Sequence, residues 1–257
     1  MSKILYQTEG AIATIRLNRP EKLHALDEEM LDGLADAVAA IDASKEIRVV
    51  LLGATGERAF SVGADILAWT SLEPLDMWRR WIRAGHRLFD RIAGLRQPVI
   101  AVLNGYTLGG GLELALAADI RLAAETAQLG QPEVRIAAIP GWGGTWRLPA
   151  LIGAGRAKQM IFTGQSITAA QAEGWGLVNE ALRADKLEAR AAELAEQIAA
   201  NAPIAVQLAK GAIDGGAGAN LAATLEGMAG ALTAQSDDAA EGLASFREKR
   251  TPRFTGR

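Results

Sequence analysis

The chain has no cysteine and only two histidines, His24 and His86, among its 257 residues. Without thiols there can be no disulfides, thiolate nucleophiles or cysteine-bound metals. The two histidines lie far apart and lack the carboxylate spacing of a metal-binding motif, so no metal site is expected. No apolar run is long enough to cross a bilayer, and MSKILYQTEGAIATIRL lacks a basic segment followed by a long apolar stretch. The expectation is a cytoplasmic, soluble protein with no membrane partner. Positive charge is not in excess either. A formal net charge of −3 offers no general attraction for nucleic acid, leaving only a basic cluster near the C-terminus. What remains, 49% hydrophobic and 22% charged residues, is the composition of a folded globular chain.

Periodicity gives the coarse organisation. Gly10 to Leu17 alternates apolar and polar residues as a strand does, Asp27 to Ile41 has helical spacing with Asp27 as its cap, and Arg48 to Leu52 is a short β-branched run. Pro98 to Leu103 reads as a buried strand. It leads through Asn104-Gly105 into the glycines of GGGLELALAAD, a tight loop opening a helix. Strand–loop–helix units of this kind predict an α/β fold. Beyond about Ala181 the chain becomes alanine-rich and amphipathic, predicting helices over Asp185 to Ala200, Pro203 to Asp214, Leu221 to Gln235 and Ser236 to Lys249. This end is too small for a separate core, so it should pack on the front part or on another subunit. The division expected is residues 1–184 as a core carrying the site and 185–257 as a helical C-terminal region.

Two loops could bring main-chain N–H groups to a ligand: GERAFSVGADI (Gly56 to Ile66) and NGYTLGGGLELA (Asn104 to Ala115). Glycine removes the β-carbons that keep a ligand from the backbone, and N–H groups at a helix start have no intrahelical partner. Both loops could equally be plain turns. Neither a GxxxxGK[ST] nor a GxGxxG pattern is present, so an oxyanion is a better candidate than phosphate or a dinucleotide. Glu113 follows the triple glycine inside an apolar helix, where it is either an exposed first-turn acid or a carboxyl held in a pocket. Glu133, in GQPEVRIAAIPGWGG, would be a solvated acid if taken alone.

Four segments in order, GERAFSVGADI, NGYTLGGGLELA with AADIRLAAE, GQPEVRIAAIPGWGGTWRLP, and FREKRTPRF, resemble the crotonase (enoyl-CoA hydratase/isomerase) superfamily. The likeness runs from about Arg16 to Phe254. It implies a crotonase-like spiral of ββα units whose helical C-terminal region forms trimers or dimers of trimers. It also implies that the backbone N–H groups of Ala64 and Gly110 hold the thioester oxygen of an acyl-CoA. Hydratases of the family have glutamates at the positions of Glu113 and Glu133. On that analogy Glu113 deprotonates water and Glu133 delivers the α-proton, with CoA arriving as part of the substrate and no cofactor. Gln131 would orient Glu133, and Gly141 would bring its backbone near the water.

For substrate binding the resemblance and the charge pattern nominate Lys22, Arg58, Asp65, Ile66, Phe246 and Lys249, with Arg247 and Arg250 ranked lower. Phe246 and Lys249 match a tail motif that reaches the nucleotide of a neighbouring subunit's ligand. Asp65 also suits a helix cap, and Asp119, His24 and His86 are read as structural. Trp142 and Trp146 stand where relatives carry smaller side chains. With Trp69, Trp78 and Trp81 they would either border an acyl pocket and limit its occupant or simply pack. An enoyl-CoA isomerase or another crotonase-type acyl-CoA lyase is the alternative activity, and a non-catalytic binding relative the alternative of another class.

Overall fold

The structure, a computed structural model, describes residues 2–70, 72–215 and 219–257. It opens with an antiparallel hairpin of β1 (Ile4–Glu9) and β2 (Ile12–Leu17), turned by Gly10 at φ +55°. Only one of the six β1 residues is buried, so its apolar pattern does not stand out in the sequence. The helix Glu28–Ala43 follows. Asp27 caps it by accepting from Met30 N at 3.0 Å, and Met30, Leu34, Val38 and Ile41 bury one face at three- and four-residue steps.

Three times the chain then places a strand in each of two sheets before turning helical. The pairs are β3 (Val49–Ala54) with β4 (Ala59–Ser61), β5 (Val99–Leu103) with β6 (Tyr106–Leu108), and β7 (Ile120–Ala124) with β8 (Gln128–Gly130). β9 (Ile167–Thr168) and β10 (Glu180–Leu182) complete the sheets. The larger sheet has the order β1-β2-β3-β5-β7-β10 and is parallel from β2 onward; the smaller has the order β4-β6-β8-β9. This is the ββα spiral expected of the fold.

The long parallel strands are apolar on both faces because both faces are covered. Val50, Leu52, Ala101 and Leu103 join the main core, while Val49, Leu51, Ile100 and Leu122 point the other way. The helix Ala184–Ala199 covers this second face with Leu187, Ala191 and Ala195, one residue per turn, the two alanines allowing close approach. Arg16 in β2 fastens the same helix through two hydrogen bonds to Glu188, at 2.9 and 2.8 Å. The helix at the start of the C-terminal region is therefore packed against the sheet of the front part.

The C-terminal end is helical where its periodicity predicts, at Ala184–Ala199, Pro203–Asp214, Ala219–Ala234 and Asp237–Glu248. Pro203 lies in a first turn, and Ser236 caps the last helix by accepting from Ala239 N at 3.1 Å. Asp119 has the structural role expected of it, accepting from Val99 N at 2.7 Å and pairing with Lys210 at 2.8 Å, which ties this end to the sheet. No helix among the described residues is long and apolar enough to cross a membrane.

Candidate active site

β4, β6 and β8 lie side by side and parallel, so the chain leaves all three at the same edge. Val62 to Ala64 follow β4, Gly109 and Gly110 follow β6, and Gln131 to Glu133 follow β8. All of these except Gln131 line one cavity of about 350 Å³. Glu113 also lines it, one helical turn beyond Gly110.

Close backbone contact brings the first two loops together. A Cβ on Gly63 would stand 2.8 Å from Gly110 N, and one on Gly110 would stand 3.4 Å from Ala64 N. Gly109 adopts φ +53° with ψ −130°, a conformation that in practice only glycine adopts. Among the described residues neither Ala64 N nor Gly110 N donates to another main-chain group. Two uncommitted N–H groups therefore border the cavity.

The two acids are held differently. Glu113 is 2% exposed, and its Oε1 accepts from Trp142 N at 2.7 Å and Gly144 N at 2.8 Å. Burial raises its pKa; the N–H groups of Gly144 and Trp142 and the charge of Arg147 oppose that rise by favouring the ionised form. Glu133 is half-buried at the start of a 3₁₀ turn, Glu133–Ile136. Burial, reinforced by the nearby Glu113 charge, pushes its pKa up to about 7 against a hydrogen bond from its own backbone. The side chain of Gln131 is buried beneath it. With its amide nitrogen turned to the carboxylate, Gln131 donates to Glu133 Oε1 at 2.7 Å and Oε2 at 3.1 Å.

The turn that holds Glu113 is itself braced. Arg147, buried, donates to Trp142 O at 3.2 Å and pairs with Asp90 on the helix Arg83–Ala93. Gly144 has no room for a side chain: a Cβ there would stand 2.8 Å from the Gln131 amide and 3.1 Å from Glu113 Oε1. Sequence reasoning missed both Gly144 and Arg147. The doubled glycine of GWGGT was a signal for the first, but nothing local marks an arginine that will be buried.

The sequence profile of the enoyl-CoA hydratase/isomerase family matches residues 7–257. The chain belongs to that family. It is 38% identical over 252 residues to the short-chain-enoyl-CoA hydratase of Clostridium acetobutylicum, covering 97% of this chain and 96% of that protein. It is 36% identical over 253 residues to the crotonyl-CoA hydratase of Syntrophomonas wolfei, covering 98% and 97%. The crystal structure of enoyl-CoA hydratase from Bacillus anthracis superposes with a TM-score of 0.96 at 40% identity, covering 99% of this chain and all of that one.

Within this enoyl-CoA hydratase/isomerase chain the remaining candidates separate clearly. Ile66, Gly141, Trp81 and Trp142 line the cavity, whereas Trp78 (57% exposed) and Trp146 (55% exposed) do not. Trp146 instead stacks under Arg147, 4.1 Å from its ring centroid. The side chain of Trp69 lies outside the described residues. Asp65 caps the short helix beginning at Ile66, accepting from Leu67 N at 3.1 Å, and pairs with Arg19 at 2.7 Å. Lys22, Arg58, Phe246 and Lys249 are exposed and lie away from the cavity of their own chain. Of the lower-ranked pair, Arg250 is engaged by Glu241 and Glu248. His24 is structural: buried, with burial lowering its pKa, it accepts from Arg19 N through Nδ1 at 3.0 Å and sits 2.9 Å from Thr55 O through Nε2.

Proposed function

We propose that the protein is an enoyl-CoA hydratase, adding water to trans-2-enoyl-CoA to give 3-hydroxyacyl-CoA. The observation that carries this reading is the presence of two pKa-raised carboxyl groups and two uncommitted main-chain N–H groups on one cavity. The activities for which the two bacterial relatives are named agree with it.

Each group has a task in the chemistry. The thioester oxygen accepts from Ala64 N and Gly110 N, which stabilise the negative charge that develops as the enolate forms; one such donor is worth about 10²–10³ in rate. Glu113, whose ionised form the N–H groups of Trp142 and Gly144 favour, takes a proton from water as the water oxygen bonds to the β-carbon. Glu133, which near neutrality is partly protonated, gives its proton to the α-carbon as the enolate collapses. One proton enters the protein as another leaves, so a hydrogen and a hydroxyl are added overall. No redox step or metal-bound nucleophile is required, and CoA enters with the substrate.

The assembly belongs to the same proposal. Ile213, Met228, Leu232, Leu243 and Phe246 leave apolar surface exposed on the C-terminal helices, which favours a trimer or a dimer of trimers. In that arrangement Phe246 and Lys249 serve the nucleotide end of a ligand bound to a neighbouring subunit, and Lys22 and Arg58 are candidates for its phosphates.

The test follows loss of enoyl-thioester absorbance with crotonyl-CoA. Glu113→Gln and Glu133→Gln should each lose about 10²–10⁴ in kcat. Full activity in either variant overturns the two-carboxyl mechanism, and double-bond migration without hydration makes the chain an isomerase. Salt-dependent RNA binding with no turnover makes it a non-catalytic relative.

A further inference from the structure

We propose that Trp142 sets the acyl-chain length, its indole closing the buried end of the cavity so that short straight enoyl chains are hydrated and long ones are rejected. The inference rests on the hydratase reading of the same cavity and goes beyond it to the substrate. The cavity has a mouth and a floor. Ile66, Ile136 and Ile139 border it as exposed residues, whereas Trp81 (4% exposed) and Trp142 (2% exposed) border it from the interior beside Glu113. An acyl chain running inward past the acids therefore meets the two indoles.

The Trp142 ring cannot swing away. It lies 5.3 Å from the Trp81 ring, tilted by 49°, and meets Phe89 edge-on at 5.3 Å. One edge abuts Gly110, where a Cβ would stand 2.7 Å from Cζ3, and the other abuts Gly85, where a Cβ would overlap the indole. Its own backbone N–H is committed to Glu113. Displacing the ring would disturb either the helix Arg83–Ala93 or the hydrogen bond that holds the catalytic acid. Trp81 is fixed by the π-helical stretch Met77–Ile82, whose wider turn also presents Met77 and Ile82 to the cavity. At about 350 Å³ the space lies at the small end of the roughly 300–1,000 Å³ usual for ligand pockets, and it must also admit the thioester and a water.

The experiment compares kcat/KM for crotonyl-CoA and trans-2-decenoyl-CoA in wild type, Trp142→Ala, Trp81→Leu and Trp78→Ala. A methylene that does not fit is worth about 10–200-fold in selectivity, so wild type should favour the short substrate by at least about tenfold. Trp142→Ala and Trp81→Leu should each raise the long-to-short ratio by about tenfold or more, and Trp78→Ala should leave it unchanged. Trp81→Leu decides the matter if Trp142→Ala does not fold, because its backbone makes no contact with Glu113. Equal turnover of both substrates by wild type overturns the proposal while leaving the hydratase reading intact, as does an unchanged ratio in the folded variants. No hydration of either substrate by wild type overturns the hydratase reading first.

Discussion

The two sheets divide the work of the molecule unequally. β3, β5 and β7, five or six residues each, are buried almost throughout, lie between two apolar layers and contribute no residue to the cavity. β4, β6 and β8 have three residues each, yet the loops that follow them carry both uncommitted N–H groups, Glu133 and, one helical turn on, Glu113. Long strands supply the apolar area that stabilises the fold; short strands need only bring their ends to the same edge. In this chain stability and chemistry therefore occupy adjacent but separable layers, connected by alternation along the spiral.

That separation can be tested, beginning where the effect should be greatest. Glu113→Gln should lose up to about 10⁴ in kcat, with a melting temperature at or above that of wild type, because a neutral amide replaces a buried acid. A large drop in melting temperature would show that the carboxylate holds the fold as well as the chemistry. Ile100→Ala, fully buried in β5, should do the reverse: about 2–5 kcal/mol of stability lost in denaturant titration, with kcat per folded molecule preserved. Gly63→Ala lies on the border between the layers. Its Cβ would press on Gly110 N, so kcat should fall by about 10²–10³, alongside about 1–3 kcal/mol of backbone strain at φ +95°.

The smallest effect is a pH dependence confined to the small-sheet edge. In the proposed hydration Glu133 is protonated before it serves the α-carbon, so kcat/KM should fall as pH rises through about 7. The same raised pKa means that the folded state holds this proton more tightly than the unfolded chain, whose value is near 4.5. Its stabilising contribution is complete below 4.5 and is lost as pH rises through about 7. Glu133→Gln should therefore match wild type in stability at low pH and exceed it above 7, by at most about 3 kcal/mol. Denaturant titrations at both ends of that range check the sign.

Legibility followed the same division. β2, β3 and β5 could be read because alternation and continuous apolar runs are local patterns, and so could the four C-terminal helices with their proline and serine starts. β4 and β6 were hidden inside segments that looked like plain glycine loops, since three residues are too few to show a period. Trp81 and Trp142 could not be told from Trp78 and Trp146 along the chain, because burial and not residue type separates them. Asp65 could be read as a helix cap, but its pairing with Arg19, 46 residues away, has no local signal.

Local order was therefore decided by the sequence alone: the α/β alternation, the helical end, the absence of thiol chemistry and the identity of the two acids. Their convergence was decided by the tertiary structure. Gly110, Glu113, Glu133 and Gly144 meet because parallel pairing of β4, β6 and β8 superimposes successive turns of the spiral. The raised pKa values of both acids follow from the same enclosure. Proximity between residues far apart in the chain, and the loss of water around them, arise only when the whole chain is packed, and no short window of sequence contains either.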